Sequence, residues 1–487
     1  MARYQTSVGI EVHAELSTRS KMFCRCAAEF GGEPNTRVCP VCLGLPGALP
    51  VPNAAAVEMA VRAALALRCT IARESVFHRK SYFYPDLPKG YQTSQYGETN
   101  PVGYRGWLDI ESDNGGTKRI HIRRVHLEED TGKLVHGVGG GTGIDYNRAG
   151  VPLLEIVTAF PPDVSSPTEA RRYVQTLRHL LAWIGVCDGR MERGSLRCEP
   201  NVSIRPEGSD DLGTKTEIKN LNSTRSLQVG IEYEVARQAE VLESGGVVAQ
   251  ETRGWNEEEQ SSYVMRVKED EDDYRYFPCP DLAPMQFDAD FLARISDGLP
   301  ELPDSVRDRF VHQYALSPKD ADRMVADREW AEWFEACVAL GGDPKAILNW
   351  MISDFAKHLN EAGQAVPGME GDPTVVTPEH LVELTQLISS GTLGGKAAKT
   401  VFAETFRTGE RPGSVVARLS LAQISDTGAL ADLVGEILTE NPGLVEDYRT
   451  GKQQVLGFLV GLAMKKTNGR ADASVVKEEL LRRLSES

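Results

Sequence analysis

In its first half the chain alternates apolar and polar residues with period two. The stretches "SVGIEVHAEL" (7–16), "RIHIRRVHL" (119–127), "LLEIVTA" (153–159) and "NVSIRP" (201–206) carry the pattern, which puts one side of an extended strand into a core. Helical periodicity interrupts it twice. "NAAAVEMAVRAALAL" begins at Asn53, a good N-cap residue, and "SPTEARRYVQTLRHLLAWIG" begins at Ser166-Pro167, which caps and starts a helix. After "DYRYFPCPDLAPM" the pattern is helical, with starts at Ser317-Pro318 (backed by Asp320) and Thr377-Pro378. "TGERPGS" (408–414) reads as a linker. The expectation is an α+β protein: a β-rich domain over 1–295, a helical domain over 296–407 and a small all-α tail over 408–487.

A chain of 487 residues is too long for one core, which agrees with several domains. No apolar run is long enough to cross a bilayer, and the start, "MARYQTSVGIEVHAEL", has no charged cap before an apolar block. A cytoplasmic protein with reduced thiols is expected, without membrane contact. The net charge of −16 argues against gripping nucleic acid by bulk charge. From Phe406 onward basic and acidic residues balance, so the tail is the better place for a polyanion to dock.

Four of the nine cysteines fall within nineteen residues, as Cys24-x-Cys26 and Cys39-x-x-Cys42. Two close pairs a dozen residues apart wrap one tetrahedral ion, and thiolates suit zinc; structural thiols or disulfides are the alternatives, and the compartment disfavours disulfides. A four-sulfur site has no open position, so it is structural.

Glu11, His13 and Glu15 share one strand face, with Ile10, Val12, Ala14 and Leu16 on the other. Either that face is solvated or it holds a hard divalent ion. Glu128, Glu129 and Asp130 in a row repel one another unless solvated or bound to a cation, and Glu155 is an acid inside an apolar strand that needs a partner if buried. Together these acids point to a Mg²⁺ site for phosphoryl chemistry. No Walker-type loop is present; "SGTLGGKA" (390–397) has Ser390 and Ala397 where that motif needs Gly and Ser/Thr. "FHRKSYFYPDLPKGYQTSQY" (77–96) mixes aromatics with Arg79, Lys80 and Lys89. It suits either base stacking or a core segment with snorkelling cations, and its hydroxyls suit a hydrophilic tunnel.

Taken together, "GIEVHAEL", "SKMFCRCAAEFGGEPNTRVCPVCLGLPGALP", "RKSYFYPDLPKGYQTSQY", "HLEEDTGKLVH", "DYNRAGVPLLEIVT", "MERGSLRCEPNVS", "TEIKNLNS", "DDYRYFPCPDL" and the tail "GKQQVLGFLVGLAMKKTNGRAD" resemble one family across the whole chain. It is the GatB family, which supplies one of the three subunits of the bacterial aspartyl/glutamyl-tRNA amidotransferase. The resemblance implies that misacylated Glu-tRNA(Gln) or Asp-tRNA(Asn) binds here. It also implies that ATP with Mg²⁺ phosphorylates the attached side-chain carboxylate. Ammonia from an amidase subunit then displaces phosphate, and a small third subunit completes the heterotrimer. In this reading the N-terminal domain is a cradle. Its catalytic Mg²⁺ ligands fall on Glu11, His13 and Glu129, with Glu155; its zinc ligands on Cys24, Cys26, Cys39 and Cys42; its ammonia-channel groups on Lys80 and Lys89; and its tRNA contacts on Lys465, Lys466 and Arg470. Glu199-Pro200 departs from the Asp and apolar residue usual in the family, and the glycines at 137–143 read as a loosened loop. The competing class is a non-catalytic, zinc-stabilised RNA-binding scaffold, which leaves Glu11, His13 and Glu129 unexplained.

Overall fold

The structure, a computed structural model, describes residues 4–267, 274–364, 376–423, 427–467 and 470–486. Asp272 and Asp273 of "DDYRYFPCPDL", and Asn468 and Gly469 of the tail motif, lie outside the described residues. The chain divides into two compact units, Met1–Leu302 and Pro303–Ser487.

In the first unit β1 (Tyr4–Glu15) leads through an irregular loop to α1 (Ala54–Ala66). Short strands β2 (Thr70–Ile71), β3 (Glu74–Ser75), β4 (His78–Ser81) and β5 (Tyr91–Ser94) follow, then the long hairpin of β6 (Gly103–Glu111) and β7 (Thr117–Glu129). Next come β8 (Lys133–Val138), β9 (Gly141–Asp145), β10 (Pro152–Thr158), α2 (Pro167–Trp183), β11 (Leu196–Pro206), β12 (Thr216–Lys219) and α3 (Thr224–Glu243). β13 (Glu251–Asn256), β14 (Ser261–Val267), β15 (Phe277–Pro278), β16 (Met285–Gln286) and α4 (Ala289–Asp297) complete it.

Nine strands form one sheet in the order β14-β13-β12-β11-β1-β10-β7-β6-β2. β1 is central, antiparallel to both β10 and β11, and β12 runs parallel to β13. The period-two stretches read from the sequence lie in β1, β7, β10 and β11. Val8, Ile10, Val12 and Ala14 are at most 1 % exposed, and α1, α2 and α3 pack against the sheet they belong to. Each such valine or isoleucine contributes about 1.5–3 kcal/mol by leaving water. The caps work as read: the Asn53 side chain accepts from the Ala55 and Ala56 N–H groups, and Ser166 accepts from the Glu169 N–H, with Pro167 as the first helical residue. The 137–143 glycines form a hairpin between β8 and β9 rather than a loose loop. Gly139 and Gly140 both have positive φ, the backbone that matches a tight turn to strand twist.

In the second unit the described elements are helices. Trp333, Phe355 and Phe402 are buried in the part before residue 420. Thr408–Ser414, where a linker is expected, holds the end of helix Gly395–Thr408, its left-handed cap Gly409 and the first turn of helix Pro412–Leu419. That helix packs back on Gly395–Thr408 and Pro378–Ser389. The last four helices, Thr427–Glu440, Pro442–Arg449, Val455–Lys466 and Ala473–Glu486, enclose their own core of Leu430, Val434, Ile437, Leu459, Val476 and Leu480. Among the described residues no helix is long and apolar enough to cross a membrane.

Candidate functional site

The face of the sheet that carries Glu11 and His13 bears polar side chains across five strands. Register explains why. His13 on β1 stands opposite Glu155 on β10 and Arg197 on β11, Glu155 stands opposite His126 on β7, and Glu11 stands opposite Glu199. Asn201 stands opposite Glu217 on β12. Because side chains alternate, paired positions share a face.

Two donor groups result. In the first, His13, Glu128 and Glu155 present ligand atoms within 4.8 Å of one another. His13 Nε2 lies 3.3 Å from Glu128 Oε1 and 3.6 Å from Glu155 Oε2, while His126 Nε2 lies 2.9 Å from Glu155 Oε2. Burial opposes ionisation of His13 and Glu155. The bonds to Glu128 and Glu155 outweigh it for His13 and hold that imidazole well above its ordinary range. His126 and His13 outweigh it for Glu155 and hold that carboxyl well below. Without an ion the His13 imidazolium supplies positive charge that these acids need.

In the second group Glu11, Glu199 and Glu217 bring three carboxylates within the same 4.8 Å. Burial, with Glu155, Glu199 and Glu217 nearby, pushes the Glu11 carboxyl up. Lys219 Nζ bridges Glu199, at 2.5 Å, and Glu217, at 3.7 Å. Burial opposes it, but Lys219 draws Glu199 down to about 2. The Asn201 amide donates to Glu11 Oε1 at 3.3 Å. Its own carbonyl oxygen is buried without a partner among the described residues. A buried, unsatisfied oxygen beside three carboxylates is an all-oxygen donor set of the kind a hard divalent cation such as Mg²⁺ takes, whereas the first group mixes an imidazole nitrogen with two carboxylates.

The expected ligand set is divided by this geometry. Glu11 belongs to one group, and His13 and Glu155 to the other. Glu129 is not brought to His13; it follows Glu128 along β7, so it faces the other way. There Glu129 pairs with Lys89 and accepts the Thr93 N–H at 2.9 Å. Lys80 goes to the His13 side, with Nζ 4.8 Å from the centre of the Tyr274 ring. Burial lowers its proton affinity, but Tyr276, Glu128 and Glu155 outweigh that and leave it above the ordinary lysine range. Of the aromatic stretch, Phe77 is buried in the core and Phe83 and Tyr84 are exposed. His126, Asn201, Glu217 and Lys219 have no role in the sequence reading. His126 and Glu128 were readable, because they share the alternation of Val125 and Leu127 with opposite phase; Glu217 and Lys219 depend on strand order, which the sequence does not carry.

The four cysteine sulfurs lie within 4.8 Å of one another, and all four thiols are free. Cys39 N–H points at the Cys42 sulfur at 3.1 Å. The Cys24 thiol, that N–H and nearby Lys21 draw Cys42 down to about 5 against its burial, and the same bond pushes Cys24 up. Four convergent sulfurs fit a tetrahedral zinc in donor type and number. In the tail, exposed Lys466 bonds Glu436 and Glu440 at 2.8 and 2.7 Å, Lys465 is exposed beside it, and Arg470 Nε donates to the Thr467 carbonyl.

Residues 6–293 match the GatB/GatE catalytic domain, and residues 332–484 match the GatB domain. The chain is 49% identical, over all of both chains, to a protein of Carboxydothermus hydrogenoformans named as the B subunit of an aspartyl/glutamyl-tRNA(Asn/Gln) amidotransferase. It is 50% identical to the protein of that name from Moorella thermoacetica, covering 99% of this chain and 100% of the relative. The Brevibacillus brevis relative is 49% identical over 98% of each chain.

Proposed function

The chain belongs to the GatB family of aspartyl/glutamyl-tRNA(Asn/Gln) amidotransferase subunits, and from that premise we propose that it performs the ATP-dependent step of tRNA-bound amide synthesis. The substrates are Glu-tRNA(Gln), Asp-tRNA(Asn) or both. The partners are an amidase subunit that releases ammonia from glutamine and a small third subunit. The observation that carries this reading is the pair of donor groups on one sheet face, His13–Glu128–Glu155 and Glu11–Glu199–Glu217.

The chemistry joins two anions, so charge must be neutralised before they meet. Glu11, Glu199 and Glu217, with His13, Glu128 and Glu155 beside them, would hold Mg²⁺, and the ion would supply that neutralisation. His13 and His126 hold Glu155, and Lys219 holds Glu199 and Glu217, so the acids keep their positions between turnovers. Lys80, buried against Glu128 and Glu155, adds a fixed positive charge facing the transferred phosphoryl group. A side-chain carboxylate oxygen bonds the terminal phosphorus of ATP, and ADP leaves. Ammonia then bonds the acyl carbon, the carbon–oxygen bond to phosphate breaks, and one nitrogen proton is given up. Ammonia reaches that carbon past Lys89 and Lys80. The cysteine loop binds zinc in a structural role. The tail holds the tRNA body, with Lys465 and Arg470 as its contacts and Lys466 as a third once freed from Glu436 and Glu440.

The test is transamidation by the three co-expressed subunits, given Glu-tRNA or Asp-tRNA, ATP, Mg²⁺ and ammonium. Glu128→Gln should abolish amide formation while tRNA still binds. Amide formation by Glu128→Gln at the wild-type rate, or tRNA binding with no ATP use by either protein, would return the chain to the RNA-binding scaffold class.

A further inference from the structure

We infer that the four-cysteine loop positions Lys89, so that this loop governs the passage of ammonia to the amidation site; the inference rests on the function proposed above. Gly44, two residues beyond Cys42, has φ +67°, and a Cβ there would lie 2.5 Å from Lys89 Cγ and 3.1 Å from Lys89 Cα. The backbone of the loop therefore lies flat on the lysine stem, an approach only glycine allows. Gly44 is set by the cysteine turn itself: Leu43 N–H donates to the Cys39 carbonyl, Gly44 N–H to Val41 and Leu45 N–H to Pro40. From the other pair, Phe23 next to Cys24 presents its ring 5.6 Å from Lys89 Nζ. Neighbours of both cysteine pairs thus hold one lysine from two directions.

Between them lies a cavity of about 80 Å³ whose wall includes Cys24, Cys42, Gly44, Lys89, Glu129 and Gly150. It accepts a molecule the size of water or ammonia. Lys21 stands behind the sulfurs, 1 % exposed, with Nζ on the Arg37 and Tyr146 carbonyls and 3.7 Å from Cys42 Sγ. The loop has no regular secondary structure apart from a bridge at Ser20 and Ala27. Ligation of the four sulfurs would therefore tie the turn that sets Gly44 to the Cys24 segment of the loop, and Gly44 in turn holds Lys89. A loop that braced only the fold would affect reaction with every nitrogen donor equally.

The experiment uses the three-subunit complex with Gly44→Ala, and Gly47→Ala as its control. Gly47 has the same backbone hand, φ +83°, but a Cβ there meets nothing. Amide formation is measured with glutamine and with saturating ammonium. Deuterium uptake over residues 86–93 is measured before and after a chelator strips the metal. Gly44→Ala should lower the glutamine-to-ammonium ratio by about tenfold or more, Gly47→Ala should leave it unchanged, and stripping should raise uptake over 86–93. Parallel loss with both donors, an unchanged ratio in Gly44→Ala, or uptake indifferent to the chelator would overturn the inference. Wild-type complex inactive with both donors would instead overturn the function it rests on.

Discussion

Replacing Lys89 with methionine leaves Glu129 as a buried carboxylate without its cation. The pair is 11 % and 4 % exposed at its side chains, so water gives little help. At contact distance a pair in such a setting interacts by about 4 kcal/mol. Removing one partner of a buried pair costs about 3–5 kcal/mol, because the other charge stays desolvated. Glu129 keeps the Thr93 N–H at 2.9 Å, which places Lys89→Met at the low end, about 3 kcal/mol. Glu129→Gln alone is milder, about 1–2 kcal/mol, since Lys89 keeps Thr93 Oγ1 and the rings of Phe23 and Tyr91. The double variant buries no unpaired charge and should cost little more than Glu129→Gln, giving a coupling energy of about 2 kcal/mol or more. Native-state amide exchange of β5 and β7, read by mass spectrometry at one pH for all four proteins, measures it. A coupling below about 0.5 kcal/mol, the value of an exposed pair, would mean that burial does not strengthen the Lys89–Glu129 pair.

Three further outcomes are expected. Glu169 accepts from Lys118 Nζ at 2.7 Å and from Ser165, and these bonds outweigh burial and hold its carboxyl below the ordinary range. Its folded pKa lies below its unfolded one, so the stability it gives is present above the ordinary carboxylate range and is lost as pH falls through the folded value. Lys118→Met should therefore cost about 2 kcal/mol near pH 7 and almost nothing once Glu169 is protonated, as urea titrations at several pH values would register. Leu459 is fully buried in the tail core; Leu459→Ala should cost about 3 kcal/mol, raise exchange only within 427–486 and weaken tRNA binding in a filter assay. Asn53→Ala removes the α1 cap and the bonds to Ser20 and Lys21, and should lower the melting midpoint by the equivalent of about 1–2 kcal/mol.

What the sequence disclosed was set by local rules. Alternation marked β1 and the first half of β7, where buried positions alternate with more exposed ones, while β10 is buried along nearly its whole length; side-chain oxygens at Asn53 and Ser166 marked helix starts. Alternation also decides between Glu128 and Glu129, since only the residue in phase with His126 reaches His13. Asn201, Glu217 and Lys219 join Glu11 because β11 and β12 come to lie beside β1. That order is a property of the folded sheet and has no signal in any one stretch. The contact of Gly44 with Lys89 is of the same kind: forty-odd residues separate them in the chain, and they meet only in the folded unit.

The central claim is that the substrate carboxylate is phosphorylated before nitrogen attacks. Glu-tRNA labelled with ¹⁸O in the side-chain carboxylate, given to the three-subunit complex with ATP, Mg²⁺ and ammonium, tests it by mass spectrometry of the released phosphate. One ¹⁸O is expected in the phosphate for each amide formed, and no labelled phosphate with Glu128→Gln. Amide formed at the wild-type rate with unlabelled phosphate would contradict it.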